Sequence, residues 1–334
     1  MIITRTPYRL ALAGGGTDFP NFYEENEGLV VSFAFNKYCF ITLRYLPEFF
    51  DHKFRIVYNK IEMVRNLNEI EHPAVKAVLE NNSVGKGLEL HHDGDLPARS
   101  GVGSSSAFVV GLLLAVNCLK GKQVSRKELA LQAIYIEQKV LKEKVGLQDQ
   151  IASAYGGFNS ISIKKNGSFD IKSCEISNEN KEKIAKSILL VYTRTQRFSS
   201  KIHEANEILD TKKYFSYMNK IKEHAVILRN LIATSNNFDL IGDIFNESWK
   251  IKRELNPFSI TEEIQALRDR CIKAGAKGVK IMGAGGGGFL ALWIDPQDKD
   301  KILTQLKDLI IVPIKVSDTG SEVVFNMNTR NGIL

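Results

Sequence analysis

The chain has 334 residues, 44% of them hydrophobic, and its 45 basic and 38 acidic side chains are interleaved along the whole length for a net charge of +7. That is enough apolar material for one large domain or two lobes sharing an interface, which excludes a mainly disordered chain. The scattered charge favours small anionic ligands over a nucleic-acid surface, which would need clustered Lys and Arg interleaved with exposed aromatics.

The chain opens with MIITRTPYRLALAGGG, where Arg5 and Arg9 interrupt the apolar pattern and no signal-peptide layout is present. IITRT, YRLALA, LVVSFAF, YCFITLRYL, FRIVY and LELHH then read as strands, short, rich in β-branched and aromatic residues, and separated by Gly, Asn, Pro or charged breaks. A helix is expected from about Ser104 to Leu119. A second is opened by Ser125-Arg-Lys-Glu128, which has the form of a capping box. GGFNSISI, FDIKSCEI and ILLVYT are further strands. Segments 199–210, 213–234, 238–253 and 262–274 carry apolar residues at helical spacing. KGVKIM, FLALWI, IIVPIKV and EVVFNM return to strand, with a helix at KILTQLKD. The longest uncharged apolar run, after Ser106, is shorter than the ~20 residues a membrane span needs. The four cysteines, Cys39, Cys118, Cys174 and Cys271, form no CxxC pair, so neither a zinc site nor a disulfide framework is expected. The reading is a soluble cytoplasmic α+β protein of two lobes with a cleft between them.

Three glycine clusters punctuate this order: Gly14-Gly15-Gly16, the Gly101/Gly103 pair, and Gly283-Ala-Gly-Gly-Gly-Gly288. The middle one, in PARSGVGSSSA, runs into the expected helix at Ser104. The first N–H groups of a helix lack internal partners and sit at its positive end, so phosphate is the expected occupant, with an ordinary serine cap as the alternative. No Gly-Lys-Ser or Gly-Lys-Thr occurs, which excludes a P-loop. GAGGGG matches G-x-G-x-x-G in form but precedes a strand, whereas a dinucleotide fingerprint opens a helix.

RTPYRLALAGGGTD, PARSGVGSSSA and KIMGAGGGGF together resemble, in order and spacing, the three signature motifs of the GHMP small-molecule kinases, and the resemblance runs from Arg5 to Phe289. The GGGTD core, Asn36-Lys37-Tyr38, YTRTQRFSSKI and AGAKGVKIMGAGGGGFL are most similar to the bacterial D-glycero-D-manno-heptose 7-phosphate kinases. The resemblance implies a two-lobed fold, a ribosomal protein S5 domain 2-like lobe over 1–190 and a ferredoxin-like lobe over 191–334. It also implies ATP-dependent phosphorylation of an anomeric C1 hydroxyl with Mg²⁺.

The resemblance places the triphosphate over Gly101, Val102, Gly103, Ser104, Ser105 and Ser106, and assigns Mg²⁺ to Ser105 and Glu137. A helix-surface charge pattern with Lys139 or Lys142 is the other reading of Glu137. Asp149, in GLQDQIASAYGGFN, matches the catalytic aspartate region, where it accepts or orients the proton of the attacking hydroxyl; a helix cap is its alternative. Arg9 matches the arginine of the first motif and is expected beside Asp149. Asp18 is expected to accept sugar hydroxyls, with Gly15, Gly16 and Thr17 around it; glycines where galactokinases carry Glu-His argue against galactose. Gly156, Gly157, Gly285 and Gly286 are expected against the substrate. A 7-phosphate needs a basic clamp, assigned to Arg194 and Arg197 with Ser199, Ser200 and Lys201, and with Lys37 and Lys280 as further candidates. A fucokinase-like sugar 1-kinase is the alternative within the enzymes, and a non-catalytic sugar- or nucleic-acid-binding protein is the alternative outside them. A small-molecule sugar phosphate and ATP are the expected partners, with no nucleic acid or membrane, and a homodimer is a further possibility.

Overall fold

Ile2–Ala13 (β1) and Gly28–Tyr45 (β2) pair antiparallel from Ile2–Leu43 to Ala13–Val31, joined through the short helix Pro20–Asn26 (α1). The sequence reads each of these strands as two. Pro7 and Asn36-Lys37 do not end them, because Pro7 pairs with Tyr38 while Tyr8 pairs with Phe35, and the extra residues bulge from a continuous ribbon. The computed structural model describes residues 1–174, 176–195, 211–235 and 237–327. The expected helix over 199–210 therefore lies outside the described residues.

Phe54–Val57 (β3), Ile61–Val64 (β4), Leu88–Gly94 (β5), Phe158–Ile163 (β6) and Phe169–Ser173 (β7) extend this first sheet. β5 pairs with the second half of β2 and β6 with its first half. Pro73–Asn81 (α2), Ser104–Leu119 (α3), Arg126–Tyr135 (α4) and Gln148–Tyr155 (α5) accompany it, and α3 lies on β1 and β2. α3 is apolar on all sides and buried along most of its length, as a central helix must be. The Ser125–Glu128 capping box forms in full, with Glu128 N donating to Ser125 Oγ at 3.2 Å and Ser125 N donating to Glu128 Oε2 at 2.8 Å. α4 continues into a π turn, Ile136–Val140.

The second sheet contains Ile188–Tyr192 (β8), Gly278–Ile281 (β9), Phe289–Trp293 (β10) and Ile311–Pro313 (β11), in the antiparallel order β11-β8-β10-β9. Asn178–Lys186 (α6), Thr211–Thr234 (α7), Leu240–Leu255 (α8), Glu262–Lys273 (α9) and Lys299–Gln305 (α10) belong to this half. Alternation along β10 divides the interior. Phe289, Ala291 and Trp293 join the core of the first sheet, whereas Leu290 and Leu292 join a second core with Trp249, Ile264 and Ile302. One apolar core therefore runs through both lobes.

Glu322–Asn326 (β12) returns to the first sheet and pairs with β1. A division near residue 190 remains our proposal for the body of the chain, but 322–326 lies with the first lobe. The architecture is α+β as expected; α1, α2, β4 and α6 are too short for their periodicity to register in the sequence. Among the described residues no helix is long and apolar enough to cross a membrane.

Candidate active site

The loop before α3 is held from both lobes. Arg9 N donates to Val102 O at 3.1 Å, and Phe289 N, at the end of the third glycine cluster, donates to Ser100 O at 3.1 Å. Gly103 caps the helix in the left-handed region, at φ 77° and ψ 28°, which a side chain would disfavour. The first helical bond runs from Ala107 N to Gly103 O, so the N–H groups of Ser104, Ser105 and Ser106 precede the ladder. The first turn carries no acidic residue. These amides at the positive end of α3 form a seat for an anion.

Arg9 and Asp149 meet beside that seat. Arg9 Nε donates to Asp149 Oδ1 at 2.6 Å, Nη2 donates to Oδ2 at 2.9 Å, and Nη1 donates to Gly101 O at 2.8 Å. The arginine side chain is 5% exposed and the aspartate 25%, so the carboxylate is fixed from behind and open in front. A Cβ on Gly103 would lie 3.3 Å from Asp149 Oδ2, which puts the carboxylate against the cap of α3. Asp149 stands in the first turn of α5 but does not cap it; the N-cap position is Leu147.

Glu137 is 1% exposed, on the π turn, a helix irregularity that recurs at functional sites. Ser106 Oγ donates to its Oε2 at 2.8 Å, and Gln150 Nε2 donates to the same oxygen. Burial pushes this carboxyl up to about 8, against the pull of those two donors. Two expectations change here. Glu137 is not part of a surface charge pattern, and the serine paired with it is Ser106, because Ser105 faces solvent. The signal was present in the sequence: Ser106, Val109, Val110 and Leu113 share one helical face, and all four are buried.

The first glycine turn also differs from expectation. Asp18 is fully buried, and its oxygens accept from Gly16 N at 2.9 Å, Gln148 N at 3.1 Å and Gln148 Nε2 at 3.0 Å. Burial, followed by the charge of Asp149, raises its pKa. A Cβ on Gly146 would fall 1.9 Å from Asp18 Oδ2, so that glycine makes room for the carboxylate. Asp18 therefore ties the turn to α5 and does not reach into the cleft. Thr17 is equally committed, donating to Gly14 O and Leu29 O and accepting from Leu29 N. Gly15 and Gly16 remain half-exposed between Gln148 and Met218 of α7. Gln148, 7% exposed, keeps an Oε1 with no partner among the described residues. The sequence reading passed over both glutamines flanking Asp149.

Other expected contacts resolve into packing. Gly156 meets the backbone of Thr319 and Gly320, Gly157 N donates to Ser317 O at 2.7 Å, and Gly286 N donates to Ser259 O at 2.7 Å. A Cβ on Gly285 would lie 2.6 Å from Ser259 O. These four glycines serve close backbone approach, not substrate. Lys37 lies in the β2 bulge, with no hydrogen bond or ion pair to Arg9 or Asp149 among the described contacts. Arg194 is exposed at φ 59° beside the third glycine cluster, since Thr193 N donates to Gly288 O. Arg197, Ser199, Ser200 and Lys201 lie outside the described residues.

Lys280 is engaged by the protein itself: Nζ donates to Ala11 O at 2.8 Å and to Leu12 O at 3.2 Å, stapling β9 to the strand that carries Arg9. Burial, then the nearby Arg9 charge, lowers its pKa to about 7. The unfolded chain keeps that proton up to the usual lysine value of about 10.4. Above about pH 7 the unfolded state therefore binds more protons, and stability should rise with pH across the window between. Urea unfolding of wild type and Lys280→Met should diverge in favour of wild type as pH climbs through it. A difference that stays flat with pH would refute the assignment.

Models of the GHMP kinases N terminal domain and the GHMP kinases C terminal match residues 52–157 and 227–311. The chain is 27% identical to the D-glycero-alpha-D-manno-heptose 7-phosphate kinase of Campylobacter jejuni over 316 residues, 92% of this chain and 93% of that protein. It is 25% identical to the L-fucokinase/L-fucose-1-P guanylyltransferase of Bacteroides fragilis, covering 96% of this chain and 38% of that longer protein. Among solved structures, a D-glycero-D-manno-heptose 1-phosphate kinase from Bacteroides thetaiotaomicron superposes with a TM-score of 0.79 at 23% identity, over 98% and 99% of the two chains. Lactococcus lactis galactokinase follows at 0.72 and 16%, over 96% and 94%. These two likenesses speak for the fold.

Proposed function

The chain belongs to the GHMP kinases, and from that premise we propose that it transfers the γ-phosphoryl group of ATP to the anomeric C1 hydroxyl of D-glycero-D-manno-heptose 7-phosphate. The observation that carries the reading is the Asp149 carboxylate, gripped by Arg9 and set against the capping glycine of an anion seat. Phosphoryl transfer asks mainly for alignment and charge neutralisation. The amides of Ser104 to Ser106 receive phosphate oxygens, and Asp149 meets the sugar hydroxyl and takes or directs its proton. Arg9 keeps that carboxylate ionised and aimed.

The donor set around Glu137 fits a divalent cation. A buried carboxyl pushed towards protonation, touching a hydroxyl at the head of α3, is a group that a cation would return to its ionised form. Mg²⁺ commonly takes one or two carboxylates and completes its shell with phosphates and water. Ser106 and Glu137 would hold it, and bound there it would offset the charge of the triphosphate. Arg194 and Arg197 form the proposed clamp for the 7-phosphate.

The fucokinase-like reading keeps the same chemistry without the clamp, and the 25% identity to an L-fucokinase is what favours it. An assay with ATP, Mg²⁺ and a panel of sugars and sugar phosphates separates the two. We expect turnover of the heptose 7-phosphate, and expect the Arg194→Gln/Arg197→Gln double variant to raise KM for that substrate while sparing unphosphorylated sugars. Equal effects on both substrate classes would remove the clamp, and turnover of fucose alone would favour the rival.

A further inference from the structure

We propose that Gln148 reads a ring hydroxyl of the sugar, its side-chain Oε1 accepting a hydrogen bond from the substrate beside the catalytic Asp149. The orientation of the carboxamide is fixed from behind. Asp18 accepts from Gly16 N, Gln148 N and Gln148 Nε2, so the amino end of the side chain is turned towards that carboxylate and the oxygen is turned away. Oε1 then has no donor among the described residues, although the side chain is almost fully buried. A buried acceptor without a donor is costly, and such groups persist where a ligand or water supplies the missing proton.

The space for that ligand lies at Gly15. A Cβ built there would sit 3.6 Å from Gln148 Nε2, 3.9 Å from Ala11 Cβ and 4.0 Å from Gln148 Oε1, with nothing nearer. A substrate atom can occupy that volume at ordinary contact distance. Gln148 and Asp149 are consecutive in the first turn of α5, so the hydroxyl that is read and the hydroxyl that is phosphorylated belong to the same ring. The acceptor role expected of Asp18 thus passes to the residue that Asp18 orients. A site that hydrogen-bonds a substrate hydroxyl discriminates strongly against analogues lacking it.

This inference rests on the sugar-kinase reading, and its test is a cycle between enzyme and substrate. Values of kcat/KM are measured for wild type and Gln148→Met on the heptose 7-phosphate and on its single-deoxy analogues. With one analogue the wild type should lose about tenfold or more, roughly what one hydrogen bond is worth. Gln148→Met should lose a similar factor on the parent sugar and nothing further on that analogue. A uniform drop across all substrates, or no drop, would overturn the proposal. Should the methionine variant melt early, Gly15→Ala replaces it, since the added methyl meets only ordinary contacts; it should produce the same selective loss, and a loss common to every analogue would be equally fatal. If wild type ignores the heptose phosphate but turns over another sugar, the functional reading fails, and the same cycle run on deoxy forms of that sugar still decides the role of Gln148.

Discussion

Replacing Asp149 by alanine is expected to cut turnover of the sugar phosphate by about 10²–10⁴-fold, the range that a positioned acid–base group supplies, while KM for ATP stays close to wild type. The second half of that expectation follows from geometry. The anion seat is built from the amides of Ser104 to Ser106 and held by Val102 and Ser100, none of which depends on the Asp149 side chain. Alanine does leave Arg9 nearly buried, with Gly101 O as its remaining described acceptor, so some loss of stability should accompany the loss of rate. Asparagine separates the two effects. It keeps an oxygen for Arg9 but cannot take a proton. A folded Asp149→Asn protein as inactive as the alanine variant identifies a true base; one that retains most of its activity identifies an aligning group, as a loose, dissociative transfer would permit. Wild-type turnover in both variants would end the proposal that Asp149 is catalytic.

How far the sequence carried depended on what each residue type is forced to do. The start of α3 was legible because glycines and serines before an unbroken apolar run have few other uses, and its bounds, Ser104 and Leu119, are those expected. The Arg9–Asp149 pair was legible through motif resemblance. The direction a polar side chain takes was not. Asp18 turns inward because Gly146, more than a hundred residues away, leaves room for it. Gly156 and Gly157 look like substrate glycines until the 317–320 segment is seen lying on them. Local pattern cannot supply such facts, since each is decided by a partner from a distant part of the chain. Ser106 is the intermediate case: helical periodicity points it inward, but only the π turn shows what it meets there.

That meeting leads to the second large effect. Glu137→Gln removes a charge while retaining a side chain of the same shape that can still accept from Ser106. If the carboxylate serves a cation, the variant should fold at least as well as wild type, because burial already disfavours the charged form. Its activity at fixed Mg²⁺ should fall by on the order of a hundredfold, as the loss of a cation that offsets phosphate charge entails. Raising Mg²⁺ should recover part of the loss, so the half-saturating metal concentration shifts upward while KM for the sugar does not. Ser106→Ala should move the same quantity by less, since it deletes a neutral ligand, and Ser105→Ala should leave it unchanged, which separates the two serines directly. The competing view is that Glu137 is a buried, protonated acid that ties α3 to α5 through Ser106 and Gln150. On that view glutamine would leave the Mg²⁺ dependence where it was. Thermal melts and Mg²⁺ titrations of the four proteins therefore decide whether the head of α3 binds a nucleotide through its amides alone or together with a metal.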